Sequence, residues 1–486
     1  MSDFKKKRNT PLVTESWERE LNRFLESPHA PIWNANIGDR IQKDDFDFVE
    51  DFKKVFYDSK KNQTYLGREG AIEYVRKNLY LSTFFQDQLK GIEFAENFES
   101  IPFTTREDLQ SKITEIIPIG MDLERMVINP TSGTTGKPIL APNHPKAIGC
   151  YVPLIEWTVE KYGVIPIHNP KSTFAIQLCY QENTIVYATT HSLAGGAKFA
   201  KINLHPHSWK NPNDIETFIK ESSPQILTGD PYSLESAMKM SLNYKPEAIH
   251  STALELTTSL REKLREHFHC PVINSYSLNE SGPIAYACKT NPEWMHVLPH
   301  DIYIEIISSE TGEVLPSGNI GEIVVTGGRN PFLPLLRYKT GDRGEFQYGR
   351  CSCGDFFPRL RLLSGRKPVY FFKLNGETVN PIDVARILRR NPHIYQFQME
   401  QYTKENFICR VSASNEFLDL PVVSESTKPE SNFVTPKNPL QIELKTELEN
   451  LLGIGSHVKF DTNFPLDGRK QIAFINSYLD TLEKSK

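Results

Sequence analysis

Short apolar runs alternate with polar, helix-like stretches between about residues 125 and 290, and this rhythm limits the fold more than any other feature. The runs are Met126-Val127-Ile128, Thr173-Phe174-Ala175-Ile176, Gln225-Ile226-Leu227 and Val272-Ile273. A strand covered on both faces reads as a continuous apolar run, and parallel neighbours need a long crossover between them, usually a helix. The alternation predicts an α/β layer around a largely parallel sheet. After residue 300 the texture changes. Ile302-Tyr303-Ile304-Glu305-Ile306-Ile307, a turn at Glu310-Thr311-Gly312-Glu313, and Gly321-Glu322-Ile323-Val324-Val325 predict antiparallel β structure.

Helices are expected on both sides of this core. Trp17, Leu21, Phe24 and Leu25 share one face at helical spacing, and Ala71 to Leu89 reads as helix with Ile72, Val75, Leu79 and Leu81 among polar residues. Ile101 to Leu109 reads as a loop entering a helix, with a Thr cap and acidic residues in the first turn. A boundary is expected near Gly365-Arg366. Beyond it come β structure, a helix from Asp383 to Arg390, more strands and a polar stretch from Ser424 to Pro439. Leu440 to Leu452 follows as an amphipathic helix with Leu444, Leu448 and Leu451 on one face, stopped by Gly453. The expected fold class is α/β: an N-terminal helical extension (1–64), a large multi-sheet domain with a β-rich part (65–365), and a small α+β C-terminal domain (366–486).

Charge and cysteine usage narrow the function. Lys and Arg number 56 against 60 Asp and Glu, a net charge of -4, which gives no electrostatic footprint for nucleic acid or an anionic membrane. No apolar run approaches the roughly 20 residues of a spanning helix. The basic start, Met1-Ser2-Asp3-Phe4-Lys5-Lys6-Lys7-Arg8, lacks the apolar region of a secretory signal. Seven cysteines are an odd, sparse set that fits a reducing compartment. A cytoplasmic protein with neither nucleic acid nor membrane as partner is expected, and the Asn-x-Ser/Thr matches at Asn62 and Asn279 are then chance occurrences.

The sharpest local signal is Pro130-Thr131-Ser132-Gly133-Thr134-Thr135-Gly136-Lys137-Pro138. Gly133 and Gly136 permit close backbone approach, so amide N–H groups can turn onto an anion. The hydroxyls of Thr131, Ser132, Thr134 and Thr135 add donors, and Lys137 adds charge. Composition alone favours a solvated turn. A Walker loop does not match, because only two residues separate the glycines and Pro138 stands where Ser or Thr should hold magnesium.

The loop resembles the phosphate-binding signature of the adenylate-forming superfamily, and further family signatures follow in order. Asn274-Ser275-Tyr276-Ser277-Leu278-Asn279-Glu280 resembles the motif whose ring lies near adenine and whose carboxylate helps hold Mg2+. Arg337-Tyr338-Lys339-Thr340-Gly341-Asp342 resembles the motif whose aspartate grips the ribose, and Gly365-Arg366 the hinge arginine that also reaches it. Each motif alone is weak; four in one order over more than two hundred residues are not a chance set. Within the superfamily the chain is similar to phenylacetate–CoA ligases, through Ile101 to Leu109, the Cys351-Ser352-Cys353-Gly354 knuckle, Lys373-Leu374-Asn375-Gly376 and Asn380-Pro381. The resemblance covers about residues 65 to 480.

The resemblance implies that ATP and a small carboxylic acid of the aromatic class form an acyl-adenylate that a thiol then attacks, with CoA as acceptor and a mobile C-terminal domain. Lys137, Glu280 and a C-terminal lysine would be catalytic. The acid would bind near Tyr180-Gln181, Tyr187 and the turn His191 to Gly196, with Gly195 in the wall; His191 reads equally as a loop histidine. Cys288, His296, Cys351 and Cys353 resemble the structural zinc site of some relatives, a closed Cys₃His set; free thiols are the other reading, and His300 competes with His296. Two departures stand out. No aspartate follows the hinge in Gly365-Arg366-Lys367-Pro368-Val369-Tyr370, and the C-terminal Gly-Lys is replaced by Gly468-Arg469-Lys470. Lys470, through a one-residue shift, is taken as the bridging cation over Arg469, since a compact ammonium fits between two anions better than a planar fork. The departures bear on the thioester step, so transfer to a carrier-protein thiol or an amine stays open, as does a nucleotide-binding pseudoenzyme.

Overall fold

The computed structural model describes residues 9–62, 67–130, 140–180, 184–298, 301–363, 371–379, 384, 387–388, 390–418, 433–434, 436, 438–461 and 474–478. Two compact units divide the chain, Met1–Leu254 with Arg265–Leu362, and Glu255–Leu264 with Leu363–Lys486.

The first unit opens with a ribbon of β1 (Val127–Pro130) and β2 (Leu140–Asn143), paired antiparallel. Its sheet is built from β3 (Thr173–Cys179), β4 (Tyr187–Thr190), β5 (Lys198–Asn203), β6 (Pro224–Gly229), β7 (Ala248–Ser251) and β8 (Val272–Leu278). It continues with β9 (Gly282–Ala287), β10 (Met295–Val297), β11 (Ile302–Ile307), β12 (Ile320–Gly327), β13 (Leu335–Gln347) and β14 (Arg359–Leu363). These twelve strands run in the order β11-β12-β13-β14-β10-β9-β8-β7-β6-β3-β5-β4. The stretch β5-β3-β6-β7-β8 is parallel. From β8 to β9 the sheet turns antiparallel and stays so through β12 and β13. The α/β layer and the β-rich part are therefore one continuous sheet. β3 pairs with β5 on one side and β6 on the other, so the chain reverses its winding at β3. Ligands of open α/β sheets bind outside the carboxyl ends of strands at such a switch point.

Two local expectations are corrected. Met126-Val127-Ile128 falls in the β1–β2 ribbon, not in the parallel layer. Only the stretch 131–139 separates β1 from β2, too little chain for a parallel crossover. Ala71 to Leu89 is two helices, Arg68–Asn78 and Thr83–Leu89. Ser82 breaks them, because its side chain accepts from the Phe85 amide and donates to the Glu115 carbonyl at 2.9 Å. Thr105 caps the helix Arg106–Ser111 in a reciprocal box with Asp108.

Residues 9–62 pack onto the large sheet's edge. Phe24 and Trp33 stack edgewise on Phe218, Pro31 bridges to Trp209, and Ile41 and Val49 share a cluster with Cys150, Val152 and Leu193. In the second unit, β15 (Phe371–Phe372) pairs β16 (Thr378–Val379). A five-stranded sheet there combines β17 (Ile394–Gln401), β18 (Asn406–Ala413), β19 (Phe433–Val434), β20 (His457–Asp461) and β21 (Phe474–Asn476). The helix Pro439–Leu452 buries Leu444, Leu448 and Leu452 against it and ends at Gly453, whose φ of +101° suits only glycine. The helix expected from Asp383 to Arg390 lies mostly outside the described residues. No described helix is long and apolar enough to cross a membrane, and all seven cysteines are free of disulfides.

Candidate functional site

The expected nucleotide residues come from two strands at the antiparallel turn of the sheet. β8 carries Tyr276 and delivers Glu280 just beyond its end, while β13 carries Tyr338 and Asp342. Tyr276 donates its hydroxyl to Asp342 Oδ2 at 2.9 Å, and Tyr338 donates to Glu280 Oε1 at 3.1 Å. Asp342 is further fixed by its own amide on Thr340 Oγ1 at 3.1 Å, and Thr340 in turn bonds the Ile323 carbonyl at 2.9 Å. Glu280 is buried, yet among the described residues it takes a hydrogen bond through Oε1 alone. A buried carboxylate with an oxygen to spare fits a divalent cation.

β13 is held rigidly beneath these groups. Arg337 is buried and forks onto Glu305 at 2.9 and 3.2 Å, donates to the carbonyls of Ile101 (2.8 Å) and Glu99, and lies 4.3 Å over the Phe103 ring. Thr104 bonds β13 on both sides, accepting from the Lys339 amide at 2.9 Å and donating Oγ1 to the Leu336 carbonyl at 2.7 Å. The stretch Ile101 to Leu109 thus acts by seating the strand that bears Asp342. Arg337 lies inside a quoted motif, but its partners 32 and 236 residues away leave no local signal.

Two further polar groups face the carboxyl ends of the parallel strands. Ser251 Oγ and Asn274 Oδ1, register partners at the end of β7 and within β8, are buried without a hydrogen-bond partner among the described residues. Unpaired buried polar atoms are uncommon and call for an explanation such as a ligand. Asn274 sits at the head of its motif; nothing in the sequence singles out Ser251.

The expected acid-site residues fall at opposite ends of the sheet. Tyr187 pairs Lys201 on β5, toward the carboxyl ends of the parallel strands. Burial pushes its phenol up to about 12. Thr190 pairs Lys198, the first residue of β5, so His191 and Gly195 follow at the amino ends. His191 caps the turn Ser192–Ala194 by accepting from the Leu193 amide, and stands 4.0 Å from Asp39. Burial lowers its affinity for a proton, against the pull of Asp39 and Glu156. Gly195 has φ +59°, and a side chain there would press on the His168 backbone.

Cys288, His296, Cys351 and Cys353 converge, with their ligand atoms all within 4.8 Å of one another. Cys288 Sγ is 3.7 Å from Cys351 Sγ, and Cys353 Sγ is 3.2 Å from His296 Nε2. Thiolates bound at zinc distance on a tetrahedron lie about 3.8 Å apart, so the set fits such an ion. Asp355 braces the knuckle, accepting from Lys161 Nζ at 2.6 Å and the Tyr286 hydroxyl at 3.1 Å. Thr131, Ser132, Gly133, Thr134, Thr135, Gly136, Lys137, His300, Arg366, Arg469 and Lys470 lie outside the described residues.

Comparison with known proteins follows the same lines. The AMP-binding enzyme family matches residues 106–330. A phenylacetate-coenzyme A ligase of Thermus thermophilus is 24% identical over 321 residues, covering 63% of this chain and 68% of that protein. One from Aromatoleum evansii is 22% identical over 417 residues, covering 82% and 87%. The crystal structure of 2-hydroxyisobutyryl-CoA ligase in the postadenylation state, in complex with 2-HIB-AMP, superposes with a TM-score of 0.61 at 15% identity, over 86% of this chain and 91% of that one; that likeness concerns the fold. With its motifs in order, its sheet and these relatives, the chain belongs to the adenylate-forming superfamily, among its phenylacetate–CoA ligase-like members, which are AMP-forming acid–thiol ligases.

Proposed function

We propose that this protein activates a small aromatic carboxylic acid as its acyl-adenylate at the expense of ATP and passes the acyl group to the thiol of CoA. The observation that carries the reading is the pair of hydrogen bonds Tyr276–Asp342 and Tyr338–Glu280, which gathers two distant motifs at one turn of the sheet. A carboxylate is a poor electrophile, and joining AMP to it creates a leaving group. Asp342 accepts from the ribose hydroxyls, the Tyr276 ring lies along the adenine, and Ser251 and Asn274 offer their unpaired oxygens to the base. Glu280 would hold Mg2+, which when bound supplies charge to offset the phosphoryl oxygens. The loop Thr131, Ser132, Gly133, Thr134, Thr135, Gly136 and Lys137 cradles the phosphates, Arg366 reaches the ribose, and Lys470 bridges carboxylate and α-phosphate.

Acid-dependent exchange of pyrophosphate into ATP tests the first half-reaction, and loss of CoA thiol the second. Glu280→Gln should lower exchange on the order of 10²–10³-fold. No acid-dependent exchange would leave a nucleotide-binding pseudoenzyme. Exchange without CoA consumption would move the acceptor to a carrier-protein thiol or an amine, the step on which the altered hinge and Arg469 bear.

The Cys₃His tetrad carries a structural zinc that ties the segment after Glu280 to the segment after Asp342. Purified protein should contain about one zinc per chain. Cys351→Ser should lose metal and melting temperature together. Metal-free protein with Cys351 and Cys353 freely alkylated in the folded state would reject this site.

A further inference from the structure

One face of the parallel sheet changes character in a single step of register. Thr189, Phe199, Ala175, Ile226 and Ala248 are in register across β4, β5, β3, β6 and β7. Phe199, Ala175, Ile226 and Ala248 cluster with Ile155 and Val159 of the helix Tyr151–Glu160. Two residues further toward the carboxyl ends, on the same face by strand alternation, the row reads Tyr187, Lys201, Gln177, Thr228 and His250. These five are polar, and the row ends at β8 in the buried Ile273. Gln177 is also the one residue of β3, and Thr228 the one residue of β6, that is not buried. At Gln177 and Thr228 this face of β3 and β6 is therefore partly open, at the strand ends where the switch point lies.

The two ends of this row differ. At the β7 end His250 bonds Ser275 Oγ at 2.7 Å, while Ser251 and Asn274, one residue further along β7 and β8, lie on the opposite face. At the β5 end stands Lys201, half-buried, with the Cys179 thiol nearby, which its charge favours as thiolate against the opposing effect of burial. No described carboxylate lies within ion-pairing distance of it. Asp230, at the end of β6, spends its two oxygens on the amide and hydroxyl of Ser233 at 2.9 and 2.8 Å. A partly desolvated ammonium facing a thiol, a phenol and an amide lacks an anion. Between β7 and β5 lie three strand spacings, roughly 14 Å, so the two ends of the row meet different parts of an extended ligand.

We propose that this row is the floor of the acid-binding cleft and that Lys201 pairs with a second carboxylate at the distal end of the substrate, so the preferred acids are dicarboxylic. This rests on the reading of the chain as an adenylating ligase. It sharpens that reading by naming a substrate class, an acid that carries an anion opposite the carboxylate to be activated.

The test is pyrophosphate exchange with matched pairs of equal framework: 4-carboxyphenylacetate against phenylacetate, and glutarate against pentanoate. Wild-type protein should favour the diacid of a pair on the order of 10²-fold in kcat/KM, the scale of a charged hydrogen bond gained. Lys201→Met should erase that ratio, chiefly through the KM of the diacid, with the KM for ATP unmoved. Lys201→Arg, which keeps the charge, should retain the preference and so separate lost recognition from lost folding. Equal use of both members by the wild type, preference for the monoacid, or a ratio that survives Lys201→Met overturns the proposal while leaving adenylation intact. Exchange with no acid of either kind would overturn the adenylation reading and this inference with it.

Discussion

Arg337 and Lys201 are two cations of the same sheet, and their surroundings could hardly differ more. Arg337, 1% exposed, has its charge met by Glu305, its remaining donors met by backbone carbonyls and its face covered by Phe103. Lys201 has a thiol. A fully partnered buried charge belongs to the architecture, because every group that desolvation would penalise has been answered within the chain. A charge left short of an anion belongs to the ligand. On that criterion β13 is the scaffold under Asp342, and β5 is a recognition strand.

The comparison breaks most readily at Arg337. Arg337→Met should cost about 3–5 kcal/mol, since Glu305 is left buried and uncompensated. Pairing it with Glu305→Leu should recover most of the loss, read as the urea midpoint; a single variant as stable as the wild type would remove the scaffold assignment. His250 sharpens the comparison from the other end of the floor. Burial lowers its imidazole from 6.5 to about 4. The unfolded chain therefore takes up the proton first, and stability present above pH 6.5 is lost as pH falls toward 4, by roughly 3 kcal/mol at most. His144 is lowered to about 4 in the same sense, so His250→Gln should flatten only part of the acid limb of a melting-temperature profile. An unchanged profile would mean that His250 binds its proton equally well in the folded and unfolded chain. The smallest effect is expected at Lys201, where Lys201→Met should change stability by no more than about 0.5 kcal/mol. A loss on the scale of Arg337→Met would make the two cations alike and end the distinction.

Much of this is legible in the sequence alone, and the reasons are local. Thr173 to Ile176, Gln225 to Leu227 and Val272-Ile273 are apolar because both faces are covered, so each announces a strand by itself. Tyr276, Glu280 and Asp342 stand in compact motifs whose order could be read along the chain. The polar floor could not be read, because Lys201, Gln177, Thr228 and His250 come from four strands and are neighbours only through register. Met126 to Ile128 looked like one more core strand, since pairing direction depends on the connection rather than on composition. Ser82 divided a helical pattern because a cap can satisfy the next helix's amide, and periodicity alone does not weigh that.

The seating of β13 on the stretch around Thr104 also sets an order in time. Thr104 and the Leu336 carbonyl are 232 residues apart in the chain, and Arg337 reaches back 236 residues to Ile101. Contacts of such separation form late, since the loop between them must close before they give anything in return. During synthesis the ribosome must therefore deliver the whole parallel half of the sheet before the strand that carries Asp342 can find its seat. Until then Phe103 lacks the Arg337 and Lys339 side chains that lie over its ring, and a nascent or truncated chain ending ahead of residue 335 presents more apolar surface of the kind that chaperones hold. Nucleotide binding is thus an acquisition of the nearly complete large domain, and ATP present during refolding should accelerate none of the steps that precede it.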